Sequence, residues 1–225
     1  MQQLLLNLDT ASPPALETFV PGQNEEALHL LHLIAARQSR DRFVYLWGDA
    51  AVGKTHLLLA MARFAPSRYL SARSPLAAFD YDSGISLYLI DDCDKLSPEK
   101  QIAAFDLFNQ VRENGRACMI TAGSSTPLAL TLRDDLKSRL CWGLVYQIKG
   151  LTDEEKIAAL TEQAKSRGFT LSPGVLPYLI THYQRDMHSL SMILDALDRY
   201  SLQTKRTITL PLLYDLLHKK QEPTL

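Results

Sequence analysis

Cysteine is scarce in this sequence: Cys93, Cys118 and Cys141 are the only three among 225 residues. They are odd in number and sit at no metal-binding spacing, which argues against a disulfide framework or a cysteine-built zinc site. A charge of one sign is missing too. Lys and Arg number 24 against 25 Asp and Glu, for a net charge of −1. A domain that grips nucleic acid by bulk positive charge is therefore excluded. No apolar run reaches the roughly 18 to 20 residues that span a bilayer. No Lys or Arg precedes Arg37, so the charged first part of a secretory signal is missing. These absences fit a soluble cytoplasmic protein with no membrane partner.

What is present is an alternation. Phe43–Trp47, Arg68–Ser71, Leu87–Asp91, Ala117–Thr121 and Leu144–Ile148 are short β-type runs, rich in Val, Ile, Leu and aromatics. Helical runs separate them: Thr55–Phe64, a weak stretch near Leu76–Phe79, Pro98–Asn114 opened by Ser97 and Pro98, and Leu132–Leu140. Strands alternating with helices predict an α/β domain with a five-stranded parallel sheet covered on both faces. Tyr45, Trp47 and Tyr88 fall in these strands and read as core. After Gly150 the pattern is helical only. Thr152 to Glu155 forms a capping box, and Gly168 closes that helix. Ser172-Pro173 opens a second helix, Asp186 precedes a third bearing Leu190, Ile193, Leu194 and Leu197 on one face, and Pro211 opens a fourth. Asp9–Pro14 reads as an extended linker, because paired prolines resist helix. The organisation expected is a tail and linker over 1–14, an α/β core over 15–149 and a small all-α domain over 150–225.

Gly48-Asp-Ala-Ala-Val-Gly53-Lys54-Thr55 matches G-x-x-x-x-G-K-[ST] in full, between a predicted strand and a predicted helix. Glycines there let backbone N–H groups face phosphate oxygens, helped by the helix N-terminus. Lys54 supplies a point charge, and the Thr55 hydroxyl is a ligand for Mg²⁺. His56 follows directly and contributes its backbone N–H. About forty residues on, the apolar run Leu87–Ile90 ends in Asp91 and Asp92. Asp91 suits the Mg²⁺ shell, and Asp92 suits the orientation or deprotonation of a water. Asp94 reads as a solvated loop acid. His29, His32, His182 and His218 have no ligand-type partners at metal spacing and read as ordinary helix residues.

With these motifs the sequence resembles the AAA+ ATPases, and within them the initiator clade that includes the bacterial replication initiator DnaA. A further stretch, Leu136-Lys-Ser-Arg139-Leu-Cys-Trp142-Gly143-Leu, is similar to the clade's arginine-finger segment. Phe19-Val20-Pro-Gly22-Gln-Asn24 is similar to the segment beside the adenine. The resemblance runs from Phe19 to the C-terminus and implies a nucleotide-binding core followed by a helical lid. It also implies ADP or ATP with Mg²⁺ as ligands, held by Gly48, Gly53, Lys54, Thr55, His56 and Val20 with a polar residue after the fourth strand. Thr121 to Ser125 offer hydroxyls there, and Ser124 is the choice. Arg139 would point at the γ-phosphate of a neighbouring subunit, where an arginine contributes on the order of 10³ to 10⁵ in rate. Lys137 reads as solvated.

The nearest likeness in the clade is to the regulators that inactivate DnaA. Gln3-Leu4-Leu5-Leu6-Asn7-Leu8 is similar to the short segment by which such proteins dock on the DNA polymerase sliding clamp. A glutamine followed by leucines can seat apolar anchors in a pocket, with Leu6 and Leu8 as anchors and Gln2 offering a shifted register. The alternative for this segment is an edge strand or a tail folded on the core. The lid departs from the family pattern, since His188 stands where an arginine usually faces the nucleotide; Arg185, three residues earlier, could substitute. The stretch after the lid leaves no room for a DNA-binding domain, so DNA contact is expected through partners. An exposed Arg139 is compatible with a homo-oligomer. The reading is a clamp-tethered regulator that stimulates hydrolysis of DnaA-bound ATP, its own ATPase activity weak. One alternative is an autonomous ATPase of the helicase-loader type on single-stranded DNA; another is a binding module in which the nucleotide is structural.

Overall fold

The computed structural model describes residues 13–183 and 186–218. They divide into two compact units, one spanning Pro13–Gly150 and the other beginning at Leu151.

In the first unit, β1 (Phe43–Trp47), β2 (Ser67–Leu70), β3 (Leu87–Ile90), β4 (Cys118–Gly123) and β5 (Leu144–Gln147) form one sheet in the order β2-β3-β4-β1-β5. Every neighbouring pair is parallel. The expected α/β architecture is therefore there, and side-chain alternation explains its two covered faces. Tyr45, Tyr88, Ile90 and Met119 face a core completed by α3 (Pro98–Asn114) and α4 (Asp134–Leu140), which supply Leu107, Phe108 and Leu136. Val44, Leu46, Leu87, Leu89 and Ile120 face the opposite core, with Leu31 of α1 (Glu25–Ala35) and Leu57 and Leu58 of α2 (Lys54–Met61). Each such side chain contributes about 1.5 to 3 kcal/mol on burial. A one-residue register slip would exchange the two faces and forfeit most of that.

Local signals set the helix ends. Ser97 accepts from the Lys100 amide and Pro98 stands in the first turn of α3, while Gly115 ends it at φ 70°. The Arg42 guanidinium donates to the Val111 and Arg112 carbonyls in the last turn of that helix, where carbonyls lack full intrahelical partners, and to the Ala117 carbonyl just past it. Expected boundaries moved where side chains intervene. α4 starts at Asp134 rather than Leu132, because the Gln101 side-chain amide oxygen takes the Arg133 N–H and the Asp135 carboxylate takes the Leu136 N–H. β4 runs on to Gly123, paired with Trp47.

The second unit contains α5 (Asp153–Ser166), α6 (Val175–His182), α7 (Met187–Thr204) and α8 (Leu210–His218). Its core gathers Leu160, Leu179, Leu190, Leu194, Leu197 and Leu212. The Thr152–Glu155 capping box is made in both directions. Gly174 at φ 93° delays α6 to Val175, two residues past the expected Pro173 start. The unit also has one extended element that helical periodicity did not predict, a parallel bridge between Leu171 and Ile208, where the chains leading into α6 and α8 run side by side. Among the described residues no helix is long and apolar enough to cross a membrane.

Candidate nucleotide site

Three parallel strands end at the same edge of the sheet, and the candidate residues follow those ends, as the carboxyl-end rule for open α/β sheets requires. β1 feeds residues 48–53. Ala51 (φ 63°) and Gly53 (φ 102°) take left-handed backbone, the alternation that turns successive N–H groups into one concavity. Neither glycine can carry a side chain. A Cβ on Gly48 would run into the Ile148 carbonyl oxygen, and one on Gly53 would lie 2.7 Å from the Phe19 ring. Phe19 therefore packs directly on the loop. Val20 is half-buried beside it.

Lys54 is 9% exposed and donates to the Gly48 and Asp49 carbonyls, both at 2.7 Å. Burial lowers its pKa, against the pull of Asp92, Asp91, Asp94 and Asp49. The Thr55 hydroxyl donates to the Asp91 carboxylate at 2.6 Å, so the two expected metal-side oxygens are adjacent. Among the described residues no three His, Cys, Asp or Glu side chains cluster as a metal cage. Two protein oxygens beside a phosphate cradle do suit Mg²⁺, which takes few protein ligands and completes its shell with water and phosphate. The glycine-lined concavity, the buried ammonium and the Thr55–Asp91 pair together can hold a nucleotide's phosphates with a divalent cation.

The neighbouring acids are arranged less simply. Asp92 sits at φ 46° and its carboxylate is held by Lys95 at 2.6 Å; that hydrogen bond raises the Lys95 pKa. Asp94 is not the solvated loop acid expected. It accepts from the Ser124 amide at 3.2 Å and from the Ser124 hydroxyl at 3.1 Å, because β3 and β4 are neighbours and both residues lie just past their ends. Lys137, also expected to be solvated, has a side chain only 20% exposed and pairs with Asp134 one turn back.

Sequence reasoning missed three supports. The Tyr69 hydroxyl, at the end of β2, donates to Asp91 at 2.6 Å, and burial together with that carboxylate raises its pKa. The His56 ring bonds the Ala15 carbonyl at 3.0 Å and the Thr18 hydroxyl at 3.4 Å, so its side chain as well as its backbone has a partner. Asn24 is 4% exposed, donates to Pro21 and Lys149 carbonyls and accepts from the Lys149 amide. An asparagine before a helix signals a cap; its bonds to Lys149 carried no sequence signal.

Arg139 lies in the last turn of α4. Its guanidinium carbon is 4.2 Å from the Trp142 ring centroid and 5.3 Å from that of Phe105. His188 is exposed in the first turn of α7, whose start is capped by Asp186. Gln3, Leu4, Leu6 and Leu8, the linker residues up to Ser12, Arg185 and the side chain of His218 lie outside the described residues.

Comparison with known proteins gives this geometry its family. Residues 153–217 match the family described as "Hda, lid domain". An uncharacterised protein of Haemophilus influenzae is 36% identical over 231 residues, covering 96% of this chain and 99% of that protein. Domain III of the Thermotoga maritima replication initiation protein DnaA superposes with a TM-score of 0.73 at 20% identity, over 95% of this chain and all of that one. AMPPCP-bound DnaA of Aquifex aeolicus gives 0.68 at 21% identity, over 92% and 69% of the respective chains. The fold is thus that of the AAA+ initiator proteins; the chain shares a family with its Haemophilus relative, and with an Hda-type lid over residues 153–217 it is an Hda-like, DnaA-related protein.

Proposed function

We propose that this protein is a cytoplasmic negative regulator of bacterial DNA replication initiation. It docks on the DNA-loaded sliding clamp through Gln3, Leu4, Leu6 and Leu8 and meets DNA only through its partners. There it stimulates hydrolysis of DnaA-bound ATP by presenting Arg139 to the γ-phosphate. Its own ADP or ATP is held by Gly48, Gly53, Lys54, Thr55, His56 and Val20, with Ser124 near the phosphates. Thr55 and Asp91 would hold Mg²⁺, which neutralises phosphate charge when bound. Self-association through the Arg139 face is compatible with this reading.

The observation that carries this reading is the state of Arg139. Among the described residues no carboxylate lies within ion-pair distance of it, although nine other Lys or Arg side chains have such partners. One of these, Lys95, holds Asp92, which favours weak turnover by this chain itself. The test is an ATP-turnover assay with DnaA, DNA-loaded clamp and this protein, each omitted in turn. Hydrolysis should require all three and fall by at least a hundredfold with Arg139→Ala. Hydrolysis unchanged by Arg139→Ala refutes the role. Turnover by this protein alone, at the rate of the full mixture, would favour the autonomous ATPase, a reading that the complete Lys54, Thr55, Asp91 and Asp92 set supports.

A further inference from the structure

Arg139 is held by aromatic rings rather than by an opposite charge. Its Nε is buried and has no hydrogen-bond partner among the described residues. Hydrogen bonds and ion pairs normally fix a guanidinium; here two aromatic rings take their place. The nearer ring, Trp142, is 54% exposed, an unfavourable state for the largest apolar side chain unless it serves a purpose there. It is nevertheless held. Its amide donates to the Arg139 carbonyl at 3.1 Å, the Phe108 ring meets it edge-on at 6.4 Å, and the Arg112 guanidinium carbon lies 5.0 Å from its centroid. The backbone that follows is pinned as well, since a Cβ on Gly143 would run into the Phe43 carbonyl oxygen of β1.

From this geometry we infer that Trp142 is a positioning residue for Arg139. A carboxylate could hold the guanidinium equally firmly, but it would neutralise the charge and occupy the N–H donors that an incoming phosphate needs. An aromatic face attracts the cation through its quadrupole and leaves both intact. Trp142 thus acts through Arg139 and need not touch the nucleotide. The inference rests on the role of Arg139 proposed above, and the experiment separates the two.

Full-length Trp142→Leu, Trp142→Phe and Arg139→Ala are assayed with ATP-bound DnaA and DNA-loaded clamp. The maximal stimulated rate and the protein concentration at half-maximal stimulation are measured separately. Loss of a cation–π contact of this kind corresponds to about a three- to thirty-fold fall in rate. Trp142→Leu should show that fall in maximal rate with an unchanged half-maximal concentration, and Trp142→Phe should recover most of it. A full rate for Trp142→Leu with an inactive Arg139→Ala overturns the positioning role and leaves the finger standing. A full rate for Arg139→Ala removes both. A change confined to the half-maximal concentration makes Trp142 a contact surface and overturns the inference, as does failure of phenylalanine to rescue. NMR of the wild-type protein needs no folded Leu variant. The Arg139 Nε–H resonance, assigned by its loss in Arg139→Lys, should be shifted upfield and slow to exchange, and an ordinary, fast-exchanging resonance refutes the stacking.

Discussion

Asn24 offers a measurement in which size and hydrogen bonding can be told apart. Its amide nitrogen donates to the Pro21 and Lys149 carbonyls at 2.9 Å, and its oxygen accepts from the Lys149 amide at 2.7 Å. Three bonds at a net value near 1 kcal/mol each, reduced where exposed Lys149 can turn to water, give about 2 to 3 kcal/mol lost in Asn24→Ala. Asn24→Asp has the same shape and keeps the acceptor. It places an oxygen, largely buried and charged, 2.9 Å from two carbonyl oxygens where a donor stood. The expected loss is about 3 to 5 kcal/mol, larger than for the alanine variant although less of the side chain is removed. Urea unfolding followed by tryptophan fluorescence reads this cleanly, because Trp47 and Trp142 both lie in the unit that contains Asn24. Asn24 also anchors the segment whose Phe19 packs on Gly53, so nucleotide affinity should weaken by roughly tenfold, a loss near 1.4 kcal/mol. An aspartate variant that unfolds at the wild-type urea concentration, or later than the alanine variant, would refute the assignment of these bonds.

Two further outcomes follow from the site. Lys95→Ala releases Asp92 from its 2.6 Å ion pair and should raise intrinsic ATP hydrolysis about two- to five-fold, a small factor because the pair is exposed; colorimetric phosphate release without DnaA checks it, and an unchanged or lower rate counts against Asp92 as the restrained group. The Cys93 thiol is pushed up to about 12, chiefly by burial, so at pH 8 iodoacetamide should label exposed Cys141 and spare Cys93 until denaturant is added, as peptide mass spectrometry would show. Because the unfolded thiol ionises at its ordinary value of 9, stability from this group is complete below that pH and declines as pH rises from 9 towards 12. Melting temperatures that stay flat across that range would contradict this.

Features whose physics is local were legible in the residues. The spacing of Gly48, Gly53, Lys54 and Thr55 is dictated by one turn of backbone round a phosphate, and the structure has that turn between a strand and a helix. The alternation of Tyr45 and Tyr88 against Leu46 and Leu89 is local in the same way, and it set the two faces of the sheet. Contacts between remote segments were not legible. Asn24 meets Lys149 across 125 positions, and Ser124 meets Asp94 across 30. Both pairings depend on strand order, which periodicity leaves open.

Arg139 shows why this distinction matters for function. Its residue type and the Leu-x-Ser-Arg-Leu setting said that a cation stands at the end of a helix, and a solvated face would read identically. What separates a held arginine with no opposite charge beside it from an ordinary one is whether α3 brings carboxylates or aromatics to it. Along α3 the positions Phe105, Phe108 and Arg112 recur at helical spacing and meet Arg139 or Trp142. An acid at position 105 would leave Ala104, Leu107 and Val111 on the core side but would give up the packing of Phe105 against that core. That choice of ring over carboxylate is made by contact between α3 and α4, so it is there that the structure adds most to what the motifs state.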